Sequence, residues 1–213
     1  AAGGECAAVA WPNEPQGMVL HADWGLNQAP PASGDVPIDG SSGWHVVANA
    51  APTAADGWAE RSSDPEAPFS PGGVYQFVYP TGMVEGTAPA TVYTTFNADE
   101  TYVGFWWKPS LPTYLGPNGV KVAMLFNGGG SGTGQQFLML RPDGALHVLT
   151  EYPGDVNWRA PNVNATTVPL GQWHLVEWYA NRVTGEVSWW LDRALQGRHY
   201  DATNDRPFDM FQI

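Results

Sequence analysis

The sequence predicts an all-β fold, a two-sheet antiparallel jelly-roll sandwich. Three observations carry this. Eight short runs rich in β-branched and aromatic residues are each bounded by turn formers, with no helix of convincing length between them. The chain holds 25 Gly and 19 Pro, the residues that punctuate strands. Only 14% of its residues are charged, against about 25% in typical soluble chains, while 13% are aromatic. A length of 213 residues suits one such sandwich, because all-β domains of this size commonly stay undivided.

Residues 1–16, opening with AAGGECAAVA, read as a flexible N-terminal segment, and 17–213 as a single β-sandwich domain. NQAPPASGDVPIDGSSG, from Asn27 to Gly43, reads as a long surface loop without periodicity, of the kind that shapes binding faces. The predicted strands are Gly73 to Pro80, Ala90 to Phe96, Thr101 to Lys108, Gly119 to Phe126, Gln136 to Arg141, Ala145 to Tyr152, Gln172 to Ala180 and Glu186 to Asp192. Pro142-Asp143-Gly144 and Thr184-Gly185 carry the turn chemistry of hairpins. FNGGGSGTGQQ, Phe126 to Gln136, is a flexible hairpin loop. It opens no helix and lacks the Lys-Ser/Thr of a phosphate loop. The terminal PFDMFQI looks like the start of another strand. An open edge there predicts either that the chain continues past Ile213, so that the domain lacks its last strands, or that a neighbouring molecule supplies one.

Alternate residues of a strand face opposite sides. With Val176 inward, His174 and Trp178 join the core, and Trp173, Leu175, Glu177 and Tyr179 take the other face. Val187, Trp189 and Leu191 are likewise inward, with Glu186, Ser188 and Trp190 opposite. In the Thr101–Lys108 run, Tyr102, Trp106 and Lys108 point outward. The second face thus gathers Trp106, Trp173 and Trp190 beside Glu177 and Tyr179. Flat rings next to carboxylate and hydroxyl groups are what a sugar needs, because its C–H faces stack and its hydroxyls want fixed partners. The competing expectation is that loops such as 27–43 cover this face.

GQWHLVEWYA, followed by a Gly turn and VSWWLDRAL, resembles the concanavalin A-like lectin and glucanase superfamily. SDPEAPFSPGGVYQFVYPTG and YVGFWWKPS look like its secreted environmental members. The resemblance covers most of residues 44–213 and implies a concanavalin A-like jelly roll. Members typically end with a further strand or two, in keeping with the expectation at Ile213. Glucanases of the superfamily carry Glu-x-Asp-x-x-Glu, which places two carboxyls about 5 Å apart for a retaining mechanism. This sequence lacks that motif, and Glu177 and Glu186 read as a solvated pair at a turn end. The superfamily also includes polysaccharide lyases, which need a cation and a Tyr or His base. Lys121, Arg141, His147, Tyr152 and Arg159 supply those groups, though their spacing matches no lyase motif.

The composition excludes other roles. A net charge of −12 with nine Lys and Arg leaves no basic surface for nucleic acid. Cys6 is the single cysteine, so no intramolecular disulfide forms and no thiolate-rich metal site exists. No run of roughly 18 apolar residues spans a membrane. The five histidines have no zinc-ligand spacing, while the acidic loops Asp35 to Asp39 and Asp201 to Asp205 are candidates for Ca²⁺, without the spaced EF-hand pattern. Asn164-Ala165-Thr166 is a glycosylation sequon. The scarcity of lysine and the many aromatics predict a secreted, extracellular, acidic protein. The expected function is lectin-like binding of a polysaccharide or glycan through Trp106, Trp173, Glu177, Tyr179 and Trp190, with no catalytic residue assigned. The alternatives are a structural subunit self-assembling through the open C-terminal edge, and a polysaccharide lyase.

Overall fold

A computed structural model describes residues 11–22, 34–37, 43–48, 58–68, 73–79, 90–110, 119–128, 134–152, 155–201 and 206–213. Among them lie fourteen strands and no helix. An eight-stranded sheet runs in the order β1 (Gly34–Pro37), β2 (Trp44–Ala48), β5 (Ala90–Ala98), β14 (Phe208–Gln212), β7 (Val120–Phe126), β8 (Gln135–Leu140), β9 (Leu146–Tyr152), β10 (Asp155–Arg159). A four-stranded sheet runs β13 (Ala194–Tyr200), β12 (Glu186–Leu191), β11 (His174–Asn181), β6 (Glu100–Trp107), and β3 (Trp58–Ser62) pairs with β4 (Val74–Val78). All recorded pairings are antiparallel. This is the all-β jelly-roll sandwich that the sequence predicts.

The core lies between the two large sheets, and alternation decides who enters it. Val176, Trp178 and Ala180 of β11 and Val187, Trp189 and Leu191 of β12 meet Val46, Val92, Leu125, Leu138, Val148 and Phe208 of the larger sheet. Trp189 ties the layers together. Its indole N–H donates to the Leu146 carbonyl at 2.9 Å, so a fully buried ring leaves no polar atom unpaired. The ring has room because its neighbour on β13 is Gly197, where a Cβ would sit 2.4 Å from the indole.

Each of the eight predicted strands is present, and both hairpins lie where their turn residues predict. Gly144 and Gly185 hold positive φ of 81° and 75°, and the Gly185 N–H donates to the Asn181 carbonyl. β1 falls inside the segment read as a loop, and β2, β3, β10 and β13 are additional. β13 escapes the turn rules because its hairpin turns on Asp192 and Arg193, at φ 50° and 73°, where Asn-Gly is the usual signal. Asp192 compensates for that backbone by accepting the Leu175 N–H at 2.9 Å and bonding His174 at 2.8 Å.

The terminal strand differs from expectation. β14 is no open edge: it pairs β5 on one side and β7 on the other, and Val92 and Ile213 exchange both backbone hydrogen bonds. Apolar Phe208 and Phe211 are drawn into the core, which seats the strand inside the sheet. Self-assembly through that edge therefore loses its structural basis.

Candidate binding face

The outer face of the four-stranded sheet is built in cross-strand rows, since residues in register share a side. The central row is Gly104, Glu177, Trp190 and Leu195. On one side lies the row Tyr102, Tyr179, Ser188 and Arg198, and on the other the pair Trp106 and Leu175. Trp173 precedes β11 at the far end. Four of the residues singled out in the sequence are thus close neighbours on one face, and Glu177 and Trp190 are direct cross-strand partners.

Glu177 is the centre of this face and is wholly removed from solvent, with 0% exposure. Asn13 covers it, its backbone N–H donating to Oε1 at 2.9 Å and its side-chain amide to Oε2 at 2.8 Å. The Tyr102 hydroxyl donates to Oε1 as well. Three donors satisfy this buried carboxylate, which is the condition for keeping it there at modest cost. Burial, reinforced by the Glu177 carboxylate, holds the Tyr102 hydroxyl far above the usual phenol range. Beside this contact, the Trp11 ring packs against Gly104, where a Cβ would come 2.7 Å from it. Trp190 is 7% exposed.

Residues 11–14, read in the sequence as part of a flexible leader, are therefore seated on the sheet. This changes the reading of Glu177 and Glu186 as a solvated pair. Glu177 is buried opposite Trp190, whereas Glu186 pairs with Tyr200, accepts from Ser188 at 3.0 Å and meets Arg198 at 3.1 Å. The missed residues are Trp11, Asn13 and Gly104, and Tyr102 was placed on this face without a role. A tryptophan inside the turn-rich WPNEP was the available signal for the first two.

The margins of the face are polar. The Trp173 indole donates to Asp64 Oδ2 at 3.0 Å, and Lys108 reaches the same oxygen at 2.7 Å and Glu66 at 3.2 Å. The Lys108 ammonium beside Asp64 lowers that carboxyl below its ordinary range, and Lys108 itself is raised by the same bond. At the opposite margin the Tyr179 hydroxyl donates to Glu100 at 2.9 Å, and Asn181 also donates to Glu100. Burial pushes the Tyr179 hydroxyl up. Half-buried Tyr179, Trp106 and Trp173 frame the covered centre.

The residues considered for lyase chemistry do not converge. Lys121, Met139 and His147 form one row on the outer side of the eight-stranded sheet, where Lys121 rides 4.1 Å over Phe137 and Arg141 lies 4.2 Å over Trp158. Tyr152 and Arg159 face the other way. Tyr152 accepts from Gln136 at 2.7 Å within the core, and Arg159 joins Thr150 on the buried Asp201 carboxylate. Burial lowers His147, with Asp143 opposing that shift at 2.9 Å. Among the described residues no group of three or more His, Cys, Asp and Glu gathers as a metal site would need, and no helix is long and apolar enough to cross a membrane. Cys6, Ile38, Asp39 and 202–205 lie outside the described residues.

No protein-family model matches the chain, and no curated protein matches it. Solved structures give partial likenesses of fold. A carbohydrate binding module, CBM66 from Bacillus subtilis, is 8% identical with a TM-score of 0.43, over 58% of this chain and 73% of that one. A lichenase derived from a mouse hindgut metagenome is 13% identical with a TM-score of 0.39, over 79% and 78%. A sialidase is 16% identical with a TM-score of 0.45, over 84% of this chain, which spans only 14% of the sialidase.

Proposed function

We propose that this chain is an extracellular, lectin-like carbohydrate-binding protein whose ligand face is the outer side of the four-stranded sheet. Trp106, Trp173 and Trp190 would supply stacking surfaces, with Glu177 and Tyr179 as polar partners. The observation that carries this reading is the state of Glu177. Its carboxylate stands at the centre of an aromatic face, flanked by Trp190 and Trp11, with both oxygens aimed at adjacent donors. Adjacent hydroxyls of a pyranose offer the same pair of donors, and its C–H faces suit the flanking rings. The low lysine content and the acidic, aromatic composition support an extracellular setting.

The test is retention of the purified chain on immobilised cellulose, xylan, mixed-linkage β-glucan, alginate and polygalacturonate. Retention on one class is expected. Trp106→Ala should weaken it about tenfold, a loss of about 1.4 kcal/mol, with the melting temperature held within a few degrees. Retention unchanged in Trp106→Ala, or absent from both the full chain and its Asn13→Asp variant, overturns the reading.

A further inference from the structure

We infer that Trp11–Glu14 is an internal occupant of the binding face, and that a saccharide and this strap compete for the Glu177 carboxylate. The inference rests on the carbohydrate reading and extends it to how the face is regulated.

Three observations carry it. The strap contacts the sheet through the groups a sugar would engage: two donors on one carboxylate, and a ring packed against bare backbone at Gly104. Its hold is narrow. Among the described residues, apart from a 3.5 Å approach of the Asn13 amide to the Arg193 carbonyl, the hydrogen bonds that tie residues 11–14 to the sheet end on Glu177, and the turn is closed internally by the Glu14 N–H on the Trp11 carbonyl. Pro12 and Glu14 are exposed, so the strap lies on the surface and can leave without opening the core. The sandwich core is complete beneath it, because Val176, Trp178 and Trp189 face the other way.

Removing the strap would leave Glu177 and Tyr102 facing a site open to water, lined by Trp190 and Gly104. A face that is competent only when the strap is lifted binds with an affinity reduced by the lifted fraction. Loosening the strap should then tighten binding with no new contact to the ligand.

Asn13→Asp replaces the donated amide with a second carboxylate against Glu177. Trp11→Ala removes the ring from Gly104 by a different route, without charge and without adding a group to the face. Hydrogen exchange at the amides of residues 13, 14, 16 and 17 reads the strap directly, and retention on the same five polysaccharides at pH 8 reads the face. The expected result is slow exchange at residue 13 in the full chain, faster exchange in both variants, and retention strengthened about tenfold or more. Faster exchange with unchanged or weaker retention overturns the competition while leaving sugar binding intact. Faster exchange with no retention by any form overturns the sugar reading and the competition with it. Exchange that neither variant alters makes the strap a fixed part of the fold and also overturns the inference.

Discussion

Asn13 and Glu177 stand 164 positions apart in the chain and are joined by two hydrogen bonds, 2.9 Å from the backbone N–H and 2.8 Å from the side-chain amide. The pairing is selective for a carboxylate, because both partners on Asn13 donate and Tyr102 donates too. Glu177→Gln turns one acceptor into a donor and leaves a buried N–H against another. It should cost about 1–3 kcal/mol in chemical denaturation, the price of an unsatisfied buried group. Glu177→Gln as stable as the parent would show that the contact is not made.

Gly185 tests the β11–β12 hairpin. At φ 75° its missing Cβ would lie 2.1 Å from the Asp201 carbonyl oxygen, a backbone atom that cannot swing aside. Gly185→Ala should lose about 2–3 kcal/mol from strain and the left-handed conformation together. Thermal unfolding would show this as a drop of several degrees, whereas an unchanged midpoint would place the turn elsewhere.

Arg193 gives a prediction of the opposite sign. It holds φ 73° without being glycine. Arg193→Gly relieves that conformation and should stabilise the chain by about 0.5–1 kcal/mol in denaturant titration. Destabilisation would mean that the arginine side chain contributes contacts outweighing its backbone strain.

His147 sets a pH dependence. Burial lowers its folded value beneath the ordinary histidine range, and Asp143 only partly opposes this. Between the folded value and the unfolded value near about 6.5, the unfolded chain binds more protons, so stability rises with pH. The His147 contribution is complete above about 6.5 and is lost as the pH falls below it. Melting curves from pH 8 to pH 5 should flatten in His147→Gln relative to the parent over that acidic window.

Much of the fold was legible because alternation has a physical cause. Val176, Trp178, Val187 and Trp189 must share one buried side, and Gly144 and Gly185 mark turns that demand positive φ. β13 was not legible, because an Asp-Arg turn hides the hairpin. The C-terminal run could be read as a strand but not placed, since nothing local tells that Phe208 and Phe211 enter between β5 and β7. The same limit applies to the candidate face. Alternation put Glu177 and Trp190 on one side, yet it is silent about what lies over them. Asn13 reaches Glu177 across 164 positions of sequence, and a contact of that kind leaves no periodic trace.

The most direct measurement is hydrogen exchange of the full chain with and without a saturating polysaccharide fragment from the class that retains it. Carbohydrate binding on the four-stranded sheet predicts altered exchange in β6, β11 and β12 around Trp106, Glu177 and Trp190, with residue 13 exchanging faster. Altered exchange confined to β8, β9 and β10, around Leu149 and Trp158, would contradict it by placing the ligand on the opposite sheet.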